Sequence, residues 1–307
     1  MVSLVTGATG FMGKFLVERL VEEGEDVIAT GRASTSPFKP NPRVKYMEMD
    51  VSDPLAVDRV LSRHRPEVVY HLAALVADVC EVDPSSCSRV NIRGTQNLIE
   101  LSANHGVNKF VFMSSQSVYD PSAPEPVREE AAGHPVLFYG ITKYSGEMMG
   151  LWYSRKGIMD FRALRPSVVF GPTRFRGPSA QFSSHIVEKA LRGEEVLIRN
   201  PNDRVNYLYV RDAVEATFRL GKAKSAPSRI YNAGGFTMTV LEFAEMVRTL
   251  IPGLRYKVEA IETVRYPAVI DNERAERELG WTPRYLKEES IRDYLETLRR
   301  GSAIFNL

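Results

Sequence analysis

The chain has 307 residues, 44% of them hydrophobic and 25% charged, enough for one large domain or two ordinary ones with a self-sufficient core. Forty Lys and Arg against 38 Asp and Glu leave a formal charge of +2, with no run of five like charges, which argues against a nucleic-acid footprint and whole-chain disorder. No apolar stretch approaches the roughly 20 residues that span a bilayer. The opening MVSLVTGATG lacks the basic-then-apolar layout of a secretory signal, so no membrane partner is expected and the cytoplasm is the expected address.

Short apolar runs at 2–6, 26–30, 44–49, 67–72, 109–114 and 161–166 read as strands, most of them followed by an amphipathic segment. The runs are nearly continuous rather than alternating, as strands covered on both faces should be. The pattern predicts an α/β, doubly wound, Rossmann-type parallel sheet. Between the first strand and first helix stands Gly7-Ala8-Thr9-Gly10-Phe11-Met12-Gly13. Glycines in a strand-turn-helix context allow a tight turn, close approach of a diphosphate to the backbone, and close helix packing. The P-loop alternative fails because no Gly-Lys-Ser/Thr follows.

The Gly-x-x-Gly-x-x-Gly spacing resembles that of the extended short-chain dehydrogenase/reductases, which include nucleotide-sugar epimerases, dehydratases and keto reductases. An acidic residue about 20 residues past the glycines would accept hydrogen bonds from an adenosine ribose. Here Gly31 and then Arg32 stand at that place. A guanidinium without a neighbouring carboxylate suits a 2′-phosphate, so NADP(H) is favoured and NAD(H) is the alternative. The resemblance further assigns Gly7, Thr9, Gly10, Phe11, Met12, Gly13, Asp50, Val51, Leu72, Ala73, Ala74, Asn91 and Pro166 to the cofactor, with Asn91 near the nicotinamide ribose.

Cys80 and Cys87 are too few for a disulfide framework or a four-cysteine metal site and read as ordinary small buried residues. His64, His105, His134 and His185 show no metal-ligand grouping. Helices are expected over 86–105 and 138–155, and the resemblance makes them a homodimer interface. The Pro-rich, acidic stretch 120–136 reads as a surface loop.

At 139–143 the sequence Tyr-Gly-Ile-Thr-Lys puts Tyr139 and Lys143 one helical turn apart. A free phenol, with a pKa of about 10, is a poor base at neutral pH. An adjacent ammonium and an oxidised nicotinamide would both favour its phenolate. Ser114-Ser115-Gln116-Ser117 ends the preceding strand, and the resemblance makes Ser115 the third catalytic group, with Ser114 in reserve and Gln116 beside the substrate. The acidic pair that performs elimination in the dehydratases is missing at Gln116 and Ser117, which disfavours that chemistry.

Past residue 167 Gly and Pro become frequent and strands are harder to place, so the expected division is a dinucleotide-binding domain at 1–166 and a smaller substrate lobe at 167–307, with segments returning to the main sheet. Helices are expected over 239–251 and 287–300. The run Arg204 to Asp212 resembles the family segment in which the first arginine holds a substrate diphosphate, and Asp212 is expected to cap the helix from Ala213. Arg265, Asp271 and Glu278-Leu279-Gly280-Trp281-Thr282-Pro283 resemble its C-terminal signature, with Arg265 on the substrate. Val168 stands where nucleotide-sugar enzymes place an asparagine. The leading expectation is an NAD(P)-dependent nucleotide-sugar epimerase, most simply a 4-epimerase. The alternatives are an NADP-dependent reductase or dehydrogenase of a keto-sugar or other small carbonyl compound and, from another class, a non-catalytic dinucleotide sensor.

Overall fold

A computed structural model describes residues 1–131, 133–260 and 266–306. In chain order the main sheet receives β1 (Val2–Thr6), β2 (Asp26–Gly31), β3 (Val44–Glu48), β4 (Val68–His71), β5 (Lys109–Met113) and β6 (Asp160–Pro166). The later strands are β7 (Val168–Phe170), β8 (Glu195–Arg199), β9 (Arg204–Tyr209), β10 (Ile230–Ala233), β11 (Phe236–Thr239) and β12 (Arg255–Glu259). The helices are α1 (Phe11–Glu22), α2 (Pro54–His64), α3 (Ala77–Val82), α4 (Pro84–Cys87), α5 (Gly94–Asn104), α6 (Phe138–Arg155), α7 (Ser184–Leu191), α8 (Val210–Lys222), α9 (Val240–Leu250), α10 (Glu273–Leu279) and α11 (Glu288–Arg300).

Seven strands pair in the order β10-β6-β5-β4-β1-β2-β3, every pair parallel. Successive residues of β1 feed opposite faces, as a pleated strand requires. Leu4 joins Val57, Leu61, Leu98 and Ile99 of α2 and α5, whereas Val5 joins Leu16 and Leu20 of α1 and Ala213 and Ala216 of α8. Both faces are therefore covered, which explains the unbroken apolar runs. The order reverses between β1 and β4, and the segments leaving their C-terminal ends form the crevice where ligands bind in such sheets.

The chain leaves this sheet at Ser167, the single residue between β6 and β7, and re-enters it with β10. β7, β9 and β11 make a three-stranded sheet, while β8 and β12 pair separately. Phe170, Tyr207, Phe236 and Phe243 interlock behind it, with Tyr207 and Phe243 stacked at 4.3 Å. The helix expected over 239–251 runs as α9, started by a capping box between Thr239 and Glu242.

Four local expectations differ from the structure. The helix expected over 86–105 is composite: α4 passes into a π-helical turn at Ser88–Arg93 before α5. Asn91, inside this turn, is buried. The 120–136 segment is more than a surface loop, because Val127 is buried against Ile270 and the Glu129 carboxylate accepts from the Asn232 amide at 2.8 Å. Cys80 and Cys87 are bonded to each other. Asp212 does not cap a helix at 213. It lies inside α8, and its two carboxylate oxygens accept from the Arg284 and Tyr285 amides at 2.9 and 2.8 Å, tying down the C-terminal segment.

Candidate active site

Gly7 has φ +67°, and a Cβ there would meet the Ala73 nitrogen at 2.7 Å and the Leu72 carbonyl carbon at 2.9 Å. The turn after β1 is thus pressed onto 72–73. Gly13 is equally constrained, since its Cβ would fall 2.2 Å from the Gly7 oxygen. Gly10 caps α1 without any side-chain bond, no acidic residue occupies the first turn, and Gly10 is exposed to the crevice. An anion placed there would meet bare helix N–H groups. Thr9 packs on Gly31, where a Cβ would come within 2.6 Å of its methyl group and 3.0 Å of the Tyr46 hydroxyl, so no carboxylate side chain fits at 31. Arg32, the next residue, is exposed.

Among the other expected cofactor residues, Asp50 is half-buried with Oδ1 accepting from the Ser52 amide and hydroxyl. Val51 is core, packed where Gly94 opens α5. Pro166 ends β6 beside Ser167. Asn91 is buried. Its Oδ1 accepts from the Leu75 amide at 2.8 Å, and its Nδ2 donates to the Leu75 carbonyl at 2.9 Å and the Thr142 hydroxyl at 3.1 Å. Through these bonds Asn91 ties the 72–75 loop to α6. His71 lies deeper still, between the Thr6 and Thr95 hydroxyls, and burial drops its pKa to about 3.

α6 begins hard against the turn at Gln116–Val118. A Cβ on Gly140 would sit 2.1 Å from the Ser117 carbonyl oxygen, so glycine there lets Tyr139 reach Ser115. The Phe138 amide donates to Glu81 Oε1 at 2.7 Å, fixing the first turn. Tyr139 is half-buried, and Ser115 pulls the pKa of its hydroxyl down; the Ser115 Oγ accepts from the Ser117 amide at 3.1 Å. Ser114 is spent elsewhere, donating to Glu147 at 2.5 Å. Lys143 is 3% exposed and lies 5.7 Å from the Tyr139 ring centroid, giving its hydrogen bond to the Met113 carbonyl at 2.8 Å.

The electrostatics also differ from expectation. Burial lifts Tyr139 to about 12, and the opposing pull comes first from Arg174 and then from Ser115. Lys143 is not among these influences. It is itself lowered to about 7 by burial, only partly offset by Glu147. The ammonium faces a backbone carbonyl and the Phe112 ring, with little solvent to support its charge. Arg174 had no signal in the sequence beyond its place in a Gly- and Pro-rich loop.

Lys143→Met is therefore expected to raise the melting temperature of the cofactor-free protein while removing activity. Between pH 7 and about 10.4 the unfolded chain holds a Lys143 proton that the folded chain has released, so this residue's penalty is full below pH 7 and fades as pH rises. The variant's advantage should be greatest at pH 6.5 and shrink by pH 9.5. Melting curves across that range check it, and a variant less stable than wild type at pH 6.5 contradicts it.

Of the expected substrate residues, Gln116 is buried with Oε1 unpartnered, beside Ser115. Arg204 opens β9, half exposed, in an ion pair with Glu125 at 3.0 Å. Arg265 lies outside the described residues. No His/Cys/Asp/Glu group suited to a metal ion occurs among the described residues. Nor among them is any helix long and apolar enough to cross a membrane.

The sequence model of the NAD dependent epimerase/dehydratase family matches residues 3–234. Mitochondrial L-threonine 3-dehydrogenase of Sus scrofa is 26% identical over 91% of this chain and 77% of its own. The crystal structure of a Thermotoga maritima UDP-glucose 4-epimerase with UDP-glucose superposes with a TM-score of 0.88 at 30% identity, covering 98% of this chain and 99% of that one. A Thermus thermophilus UDP-glucose 4-epimerase in complex with NAD gives a TM-score of 0.87 at 26% identity, over 98% and 100% of the two chains.

Proposed function

Since this chain belongs to the NAD-dependent epimerase/dehydratase family, we propose that it catalyses NAD(P)-dependent oxidation and reduction at a carbinol carbon, foremost as a nucleotide-sugar 4-epimerase. The observation that carries this reading is the placement of Ser115 and Lys143 around Tyr139, together with the glycine turn after β1.

The residues present fit a dinucleotide. The start of α1 is uncapped, Gly10 leaves open the space a side chain would fill, and Ser167 Oγ is buried without a partner one residue past Pro166. Gly7 to Gly13 would hold the diphosphate, Arg32 the adenosine end, and Lys143 the ribose nearest the reaction. The nicotinamide, when bound, supplies the hydride acceptor and donor. The chain's own work is proton handling. Tyr139 takes the carbinol proton and returns it, and Ser115 orients the reacting oxygen by hydrogen bond. For a 4-epimerase, Arg204 would contact the diphosphate of the substrate, with Arg265 in the same service.

Two observations favour the second reading, an NADP-dependent reductase or dehydrogenase of a keto-sugar or other small carbonyl compound. Val168 cannot hydrogen-bond a diphosphate, and Arg32 has no carboxylate beside it to repel a 2′-phosphate. Incubation with UDP-sugars and carbinol acids, with and without added cofactor, separates the two. Isomer exchange without net change in reduced-nicotinamide absorbance supports the epimerase, and stoichiometric cofactor consumption supports the dehydrogenase. Tight dinucleotide binding with no turnover of any substrate would contradict both.

We assign NADP(H) as the preferred form. Arg32→Gln is expected to weaken NADP binding about tenfold or more, while NAD binding moves little. Fluorescence titration with each dinucleotide checks this, and an equal loss for both contradicts it. The exposed Trp152 and Ile141 of α6, with the groove formed by Gln96, Ile99, Met148 and Met149, support a homodimer through α5 and α6.

A further inference from the structure

More polar groups surround Tyr139 than proton transfer uses. Arg174 lies in the segment between β7 and α7 with its guanidinium 5.7 Å above the Phe11 ring and Nη2 donating to the Ser179 hydroxyl at 2.6 Å. The guanidinium is half-buried, and its charge and that of Tyr139 influence each other. Among the described residues no carboxylate pairs with it. The two fully buried arginines both have one, Arg162 with Asp160 and Arg165 with Glu147. Even partial desolvation disfavours a cation without a counter-ion, and it lowers Arg174 to about 10.

Its neighbour adds an independent sign. Thr173 is held at φ +70°, a left-handed conformation that a β-branched residue seldom adopts, and its Oγ1 is buried with no partner. Gln116 Oε1, next to Ser115 in the chain, is also unpartnered. A carboxylate would complete the arginine: its two oxygens match the guanidinium fork, and the Thr173 hydroxyl can donate to one of them. The diphosphate of a dinucleotide has its own seat at Gly10 and the start of α1.

We propose that Arg174 and Thr173 receive a carboxylate carried by the substrate close to the carbinol that Tyr139 serves, so that the site selects hydroxy acids or uronate-type sugars over their neutral counterparts. This rests on the reading of Tyr139 as the proton carrier and narrows the substrate class for it.

The test uses pairs that share a carbinol and differ in the carboxylate: UDP-glucuronic acid against UDP-glucose, and L-threonine against L-threoninamide. Wild type, Arg174→Gln and Arg174→Met are compared, the last keeping an apolar stem over Phe11, and circular dichroism verifies folding. Each dinucleotide-loaded protein is assayed for kcat/KM and titrated calorimetrically with each compound. Wild type should favour the acid of at least one pair about 30-fold or more in affinity, and both variants should lose that preference through KM with dinucleotide Kd shifted less than threefold. Equal affinity for acid and neutral member in wild type, including no binding of either, overturns the proposal. So does a tenfold rise in dinucleotide Kd in the variants, which would give the guanidinium to the cofactor. Turnover of a neutral substrate without acid preference overturns this proposal alone. Acid-selective binding without turnover of any carbinol supports it while overturning the Tyr139 reading.

Discussion

Tyr139→Phe should lower kcat by about 10²- to 10⁴-fold, the range a positioned general acid-base contributes, while leaving dinucleotide affinity within a few-fold of wild type. The variant keeps the ring beside Lys143 and removes only the hydroxyl. Because burial holds that hydroxyl near 12, the remaining positive charges set how readily the phenolate forms. Steady-state kinetics with dinucleotide titrations check the split. A Phe variant within tenfold of wild type in kcat would remove Tyr139 from the chemistry.

Glu147→Leu should cost about 3–5 kcal/mol of stability, the penalty typical of stranding a buried charge. Glu147 is 0% exposed and Arg165 2%, and they form a two-armed pair at 2.8 and 2.6 Å. Ser114 donates to the same carboxylate, and Arg165 reaches on to the Tyr119 hydroxyl and the Glu129 carbonyl. This network joins α6, β5, β6 and the 120–136 segment directly beneath Lys143. Without Glu147 the guanidinium, now raised in pKa by that carboxylate, stays buried without a counter-ion. Urea unfolding measures the loss, and the double variant Glu147→Leu/Arg165→Met should recover most of it, since apolar groups replace a buried pair at little cost. A single variant within 1 kcal/mol of wild type contradicts this.

The parallel sheet was legible because buried strands write themselves as unbroken apolar runs such as Val68 to His71, and α6 because Tyr139 and Lys143 recur at helical spacing. One more turn reaches Glu147, so the spacing did contain a signal for the residue beneath the site; a charged group at i+8 reads as solvated until a buried partner is known. Arg165 gives no such hint, because a cation inside a strand sequence looks like any other. Asn91 was placed near the cofactor by resemblance, whereas the π-helical turn that carries it is marked by no periodicity. The Cys80–Cys87 bond joins residues seven apart through the break between α3 and α4, a geometry that composition does not disclose. Arg174 was hidden for a different reason. Loop residues carry no periodic pattern, and its significance comes from the carboxylate it lacks.

The most direct test of the proton-and-hydride account is a single-turnover measurement on the dinucleotide-loaded protein, following the reduced-nicotinamide absorbance with a carbinol substrate deuterated at the reacting carbon. The account predicts a rise in that absorbance slowed severalfold by deuterium in wild type and abolished on the same timescale in Tyr139→Phe. Product formed with no reduced cofactor at any time, or a rise of equal rate in the Phe variant, would contradict it.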